Sequence, residues 1–593
     1  MSQEFSAVEA FSRLSPAALE ALSAAAETRR IKGGDVLVRY GEEADTLYLV
    51  SAGRFNVQLP DGRVVAEIEA GEPVGELAFF SGEARTADVR ATRDAEVYAL
   101  TRDAYDAVAA QYPEFTNTIL SYVAQRLVRA TGAAKALEAK PGRVVALLPC
   151  GEAQLPDGFA EKLTKSLAKY DNPRLVRRAD MPDGLKPDDA SFGAWVAELE
   201  QSAGRVILRA SREDDAWNRA IARNADDVLL VAPLYDRRPE LSELETYALP
   251  LFQKNNRQLM LWRPHEAKGI QGSAAWLADR DVKLHHHVPL DSVAAFDRIA
   301  RFMAGKANGV VLAGGGALGC AHLGVMEALL ENGVPIDYYG GASVGAAAAA
   351  ALAKGLTAQE TLTQMEEMFV KNKAMRRMTI PVHSLLDPRV FDSELKARYG
   401  EQDIADLPYN FFGVSTNLST SGIYVHTRGP LWEAVRASGS LPTILPPLIT
   451  KDGDILVDGG VLNNIPVAVM RELKAGPNVV VALRTDVGSR WEVEATYEDV
   501  RSPGKIARDI LLRRKPEREF PSLVEITSRS MVVSSEGTVE QSLAQADALL
   551  IPPIPAGMQL LDWQMGKEAA EKAREFTETA ILSRGDLKAM KAV

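Results

Sequence analysis

The stretch 309 GVVLAGGGALGCAHLGVMEALLENG 333 decides the fold of the C-terminal half of this chain. Val310, Val311, Leu312 and Ala313 form a short apolar run, as a buried strand does. Gly314, Gly315 and Gly316 then break it, and a helical stretch follows. The pattern repeats at once in 336 IDYYGGASVGAAAAAALAKG 355, which reads as strand, sharp turn, helix. Successive βα units imply a parallel sheet covered by helices, with functional loops at the carboxyl ends of its strands.

The second unit carries Gly341-Ala342-Ser343-Val344-Gly345, a GxSxG between a strand and a helix. A serine on such a turn is held in a strained conformation that exposes its Oγ. Gly341 and Gly345 are needed because only glycine lets neighbouring backbone pass so closely. The helix that follows offers free N–H groups to a developing anion. Ser343 is therefore the candidate nucleophile.

A serine needs a base. The last of the seven histidines is His426, so a Ser–Asp/Glu–His order would have to close on it. Asp458, in ILVDGGVLNNIP, is the better candidate. It ends a short apolar strand and precedes two glycines, so its carboxylate would project beside open backbone. A carboxylate that takes the Oγ proton directly activates serine with one partner fewer than a triad. A bare turn fits DGG equally well when that segment is read alone. Gly314, Gly315, Gly316 and Gly319 form the third element, a loop whose N–H groups would stabilise an oxyanion. The same letters satisfy GxGxxG, the dinucleotide fingerprint. That rival wants an acid after the second strand. Asp337 instead precedes YYGGAS, and the second strand ends in the serine turn.

Outward from this core, the 593 residues exceed one hydrophobic core and divide into three composition blocks. Residues 1–140 begin with short alternating segments such as LYLVSAGRFNVQL and end in helical periodicity over 104–140, an α+β pattern. Lys140-Pro141-Gly142 reads as a linker. In 141–305 apolar runs (RVVALLP, RVILRA, DDVLLVAP, RQLMLW) alternate with helical stretches, which predicts an α/β domain. Residues 306–593 form the third domain. Within it 488–521 is a charged surface excursion, and ALLIPPI and GKEAAEKAREFTETAI are a last strand and helix. The His285-His286-His287 tract is expected in a turn rather than at a metal, because adjacent side chains on a strand face opposite ways.

The net charge of −12 argues against nucleic-acid binding. Cys150 and Cys320 lack CxxC partners, so neither a disulfide framework nor a thiolate metal site is expected. The opening MSQEFSAVEAFSRLS lacks the features of a signal peptide. The expected location is the cytoplasm, with transient contact at the inner membrane face. Met365–Val370 and Met375–Ile380 are the apolar segments that would make that contact, although core-facing helix is the preferred reading of both.

GGGALGCAHLGV, GGASVGA and VDGGVLNNIPV, in this order, resemble the patatin-like phospholipases, and more closely the bacterial relatives of neuropathy target esterase. The resemblance runs over nearly the whole chain and implies a patatin-like α/β/α hydrolase behind a cyclic-nucleotide-binding β-roll. It implies Ser343 as nucleophile, Asp458 as base, an acyl-enzyme, no metal or catalytic cofactor, and a lysophospholipid or phospholipid substrate. The chain departs from the family at Leu318, where Arg or Lys is frequent. In the N-terminal block, the run from Gly75-Glu76-Leu77-Ala78 to Arg85-Thr86-Ala87 resembles the phosphate-binding cassette of cyclic-nucleotide-binding domains, with Ala84 where proline is common. The likeness assigns Glu76 to the ribose hydroxyl, Arg85 to the cyclic phosphate through its guanidinium fork, Thr86 to phosphate or purine, and the helix start after Gly75 to the anion. The ligand is then cAMP or cGMP, in a regulatory role. Two rival functions are a nucleotide-binding regulator with a silent hydrolase fold and a general carboxylesterase or lipase. The presence of both Ser343 and Asp458 in context weighs against the first.

Overall fold

The structure, a computed structural model, describes residues 14–118, 143–189, 191–235, 240–266, 269–483, 504, 508 and 523–591. The expected linker at Lys140-Pro141-Gly142, the end of the 104–140 helical stretch and nearly all of the 488–521 excursion lie outside them. The chain forms two compact units, one built from the residues up to Glu266 with Ala275–Gly305, the other from Lys306 onward with the short segment before Ala275.

The first unit opens with a β-roll. Glu27–Ile31, Ala95–Thr101, Thr46–Ala52 and Pro73–Val74 make one four-stranded sheet, and Val36–Val38, Asp88–Ala91, Arg54–Gln58 and Val64–Glu69 the other. All pairings are antiparallel. Phe55, Val50 and Val97 fill the space between the sheets, each fully buried. The same unit then builds a six-stranded sheet in the order Pro173–Val176, Arg205–Arg209, Val144–Pro149, Asp227–Pro233, Arg257–Arg263, Leu284–Pro289. Every pairing in it is parallel, and its inner strands are continuous apolar runs because helices cover both faces.

The histidine tract corrects the expectation of a turn. It lies in the edge strand Leu284–Pro289. His286 and His287 are buried there, and His286 packs on the Phe302 ring at 4.6 Å. Burial holds the His286 imidazole neutral, with a pKa well below its ordinary value. The β-roll meets the parallel sheet through a buried charge cluster. Arg54 reaches Asp226 at 3.2 Å and Arg93 reaches Glu200 at 2.6 Å.

The second unit holds the sheet foreseen from the opening stretch. Its order is Leu448–Ile449, Ile455–Asp458, Asn410–Asn417, Tyr338–Ala342, Gly309–Leu312, Asn478–Val481, Ala548–Leu550, and Gly422–His426 pairs with Asn410–Asn417. The central pairings are parallel. The strand ending at Asp458 joins antiparallel, with Ser415 opposite Asp458. Helix Val344–Ala353 follows its strand after Ser343 alone, Cys320–Glu331 follows its strand after the glycine loop, and the amphipathic tail is the helix Gly566–Ser583. Met365–Val370 matches its expected place in the core, with Met365 and Met368 buried. For Met375–Ile380 the core expectation fails. Residues 376–380 are all exposed, because the chain leaves the helix after Lys371 and turns out as a hairpin.

Candidate active site

Ser343 sits between the strand Tyr338–Ala342 and the helix Val344–Ala353, at φ 53° and ψ −125°. A non-glycine residue in that region is strained and persists only where its surroundings fix it. Two contacts fix it. Its N–H donates to Ser438 Oγ at 2.9 Å, and the Ser438 hydroxyl donates to the Val414 carbonyl at 2.6 Å. The flanking glycines are required by close approach, since a Cβ on Gly345 would lie 2.1 Å from the Leu312 carbonyl oxygen and one on Gly341 would lie 2.5 Å from it. The helix thus packs backbone to backbone on the strand that precedes the glycine loop.

Asp458 ends its strand directly beside this turn. Ser343 Oγ donates to Asp458 Oδ2 at 2.7 Å. Asp458 Oδ1 accepts from the Gly460 N–H at 2.8 Å, so the DGG turn orients the carboxylate. The side chain is buried, and burial raises its pKa from 3.8 to about 6 against the pull of its two hydrogen bonds. His426, the histidine that would have closed a triad, bonds Ser415 at 2.8 Å instead, and burial lowers its pKa to about 4.

The glycine loop closes the third side. A Cβ on Gly314 would stand 3.1 Å from Ser343 Cβ. Asn464 clamps this residue from both sides: its carbonyl accepts from the Gly314 N–H and its Nδ2 donates to the Gly314 carbonyl, both at 3.3 Å. The Ala317 N–H is taken by the Leu560 carbonyl at 2.7 Å. Gly315 and Gly316 keep N–H groups that bond nothing among the described residues. Gly319 packs on Val344. Leu318, at the position where a basic residue is frequent, is buried in the apolar core. Hydrogen bonds with Asn464 and Leu560, not a side-chain charge, hold the loop here.

Ser343 opens into a largely apolar cleft. Val344, Ala347 and Ala351 line it along one helix, and Met365, Met368 and Phe369 face them. Phe369 stacks on Trp563 at 3.7 Å. Ser438, Asn464 and this lining escaped the sequence reading. Asn464 stood within the quoted LNN, but nothing in the letters says it reaches back 150 residues to Gly314.

In the β-roll, Gly75 caps the short helix Glu76–Ser81 at φ 79°. A Cβ there would fall 2.1 Å from Arg85 Nη1. Arg85 donates to the carbonyl of Gly75 at 2.8 Å and to that of Thr46. It is buried and has no carboxylate ion pair among the described residues, and burial lowers its pKa. Glu76 is buried beside it, whereas the side chains of Leu77 and Thr86 are exposed. Among the described residues no group of three His, Cys, Asp or Glu side chains is placed to hold a metal, and no helix is long and apolar enough to cross a membrane.

A serine on a strained strand-to-helix turn, bonded to a strand-end carboxyl under a glycine loop, is a hydrolase arrangement. The patatin-like phospholipase profile matches residues 310–471 and contains both groups. The cyclic nucleotide-binding domain profile matches 28–112. The chain carries a patatin-like phospholipase domain, of a class of lipid hydrolases, behind a cyclic nucleotide-binding domain. Its homologues are proteins of the neuropathy target esterase (NTE) family. It is 29% identical to an NTE family protein of Mycobacterium tuberculosis, over 96% of this chain and 94% of that one. It is 29% identical to patatin-like phospholipase domain-containing protein 7 of Rattus norvegicus over 80% of this chain, and 28% identical to domain-containing protein 6 of Homo sapiens over 85%. The chain spans 39% and 41% of the length of those two mammalian relatives.

Proposed function

We propose that the chain hydrolyses acyl esters of lysophospholipids or phospholipids through an acyl-enzyme on Ser343, with Asp458 as base and a cyclic nucleotide as regulatory ligand. The observation that carries this reading is the 2.7 Å hydrogen bond from Ser343 Oγ to Asp458 at the head of an apolar cleft. The carboxyl, with a pKa of about 6, is ionised near neutrality and basic enough to accept a proton in the transition state. Oγ attacks the ester carbonyl as its proton passes to Asp458. The oxyanion takes the unengaged N–H groups of Gly315 and Gly316, donors worth about 3–4 kcal/mol each in comparable sites. Collapse expels the alcohol, the lipid headgroup portion, which leaves with the proton from Asp458. Water, deprotonated by Asp458, then attacks the acyl-enzyme, and the proton passes from Asp458 to Ser343 Oγ as the fatty acid leaves. The cleft's apolar walls suit one acyl chain.

Support for the nucleotide reading is a buried guanidinium, Arg85, that donates to the carbonyls of Gly75 and Thr46 next to a glycine cap. A buried cation of this kind suits a cyclic phosphate. The peripheral membrane location belongs to the same proposal, since the substrate resides in a bilayer or micelle.

Release of fatty acid from lysophosphatidylcholine by the wild type, with none from Ser343→Ala that remains folded, is the expected result. Equal inactivity of both proteins on this lipid and on short p-nitrophenyl esters would remove the hydrolase reading.

A further inference from the structure

Met375 lines the cleft, the chain then leaves the protein body as a small hairpin, 377–387, and Phe391 resumes the lining. The hairpin has its own ladder. Met378 pairs with Leu386, the Thr379 N–H donates to the Leu385 carbonyl at 3.0 Å, and the Asp387 N–H donates to the Arg377 carbonyl at 2.8 Å. Its base is tied to the body by Leu385 and Leu386, whose N–H groups donate to the carbonyls of Thr443 and Ile444 at 2.7 and 3.0 Å. That anchorage lies two residues from Leu441, another residue of the cleft wall. The hairpin is therefore a built projection beside the cleft.

Its tip is apolar and uncovered. Met378 is 66% exposed, Ile380 80% and Val382 72%. No stability is gained by holding three large apolar side chains in water, and exposed apolar clusters of this kind mark interaction surfaces. The flanks supply the partner's sign. Residues 371–389 carry Lys371, Lys373, Arg376, Arg377 and Arg389 against a single carboxylate, Asp387, in a chain whose net charge is −12. Asp387 pairs with Arg377 at 3.1 Å and with Arg389, and Lys371 with Glu367 at 3.8 Å. Lys373 and Arg376 are exposed and form no ion pair among the described residues. An apolar tip preceded by two exposed cations, Lys373 and Arg376, complements an anionic lipid surface: the tip enters the acyl boundary while the cations stay with the headgroups.

We propose that the 377–387 hairpin is a membrane-docking element that seats the mouth of the Ser343 cleft on an anionic bilayer. The destination of the lipid rests on the hydrolase reading; the docking does not. The test uses the full chain and sedimentation with vesicles of phosphatidylcholine alone or mixed equally with phosphatidylglycerol. Wild type should bind the mixed vesicles, and bind phosphatidylcholine alone about tenfold less. Ile380→Asp with Val382→Asp should lower binding to mixed vesicles by about tenfold or more. Lys373→Gln with Arg376→Gln should weaken it and flatten its salt dependence. Both double variants should keep the wild-type rate on a short, soluble p-nitrophenyl ester, since neither pair lines the cleft, and that rate also reports that they fold. Absence of wild-type binding to either vesicle would overturn the proposal and leave the tip to a protein partner. Binding unchanged in the Ile380→Asp, Val382→Asp variant would also overturn it. Hairpin-dependent binding in a chain that hydrolyses no ester would keep the docking surface and remove the hydrolase reading.

Discussion

At the residue scale the chemistry turns on one buried carboxyl. Asp458 has no cation beside it among the described residues, and burial lifts its pKa from 3.8 to about 6. An acid whose folded value is raised holds its proton longer in the folded chain than in the unfolded one. Stability is therefore fully present below about pH 4 and falls as pH rises towards 6, by an amount on the order of 2–3 kcal/mol. Asp458→Asn should abolish hydrolysis and also remove this part of the pH dependence, leaving a protein that unfolds at or above the wild-type temperature near pH 8. Thermal unfolding of both proteins across pH 4 to 8 checks it, and a variant less stable than wild type near pH 8 would contradict it. The same group sets the rate profile. Because Asp458 acts as base, kcat/KM should rise through an apparent pKa near 6 and level off above it. A rate highest at acid pH would show that the protonated form is the active one. Ser343 and Asp458 were legible in the letters because GxSxG and DGG encode backbone geometry: each glycine stands where a Cβ would collide or a turn would not close. The partners that fix them were not legible. Ser438 and Asn464 are ordinary polar residues in sequence, and they acquire their roles only when Ser343 and Gly314, 95 and 150 residues away, are brought alongside.

At the element scale the Val344–Ala353 helix carries two functions. Its start holds the serine, and its alanines line the cleft. Eight residues separate Ser343 from Ala351, a rise of about 12 Å along the axis. A side chain added at Ala351 should therefore shorten the space for an acyl chain without touching the ester. Ala351→Leu is expected to lower kcat/KM for long-chain esters by about tenfold, since each methylene denied burial is worth about 0.8 kcal/mol. Short-chain esters should be hydrolysed as before, and a uniform loss across chain lengths would contradict this. The alanine run VGAAAAAALA was legible as a helix. Its use as a wall was not, because the opposing side chains come from segments with no motif of their own. The other contact of this helix is with backbone. Gly345→Ala would press a methyl onto the Leu312 carbonyl, and the strand must shift for it to fit. Loss of hydrolysis with intact folding of the β-roll is the expected outcome.

At the scale of the whole molecule, the β-roll and the parallel sheet form one unit, held by charges that lack water. Asp226 takes Arg54 on one oxygen and the Val144 N–H on the other, and is nearly fully buried. Asp226→Ala leaves Arg54 and also Arg93, which lies 3.7 Å from Asp226, without that carboxylate and should destabilise the unit by about 3–5 kcal/mol. Denaturant unfolding of the full chain measures it. The alternation of strands and helices in this region was legible, but the charge cluster was not, since its members are scattered from Arg54 to Asp226. The proposed nucleotide control obeys reciprocity: substrate must change nucleotide affinity by the same factor that nucleotide changes substrate affinity. Arg85→Leu should abolish calorimetric binding of cAMP and cGMP, and wild-type heat identical to that of the variant would remove the nucleotide from the account. The central claim is that Ser343, activated by Asp458, is the nucleophile. Mass measurement of the intact chain after treatment with an alkyl phosphonate ester tests it most directly. The account expects one phosphonyl group per chain, mapped to Ser343, slowed in Asp458→Asn and absent in Ser343→Ala. Labelling elsewhere, or no labelling of a folded wild type, would contradict it.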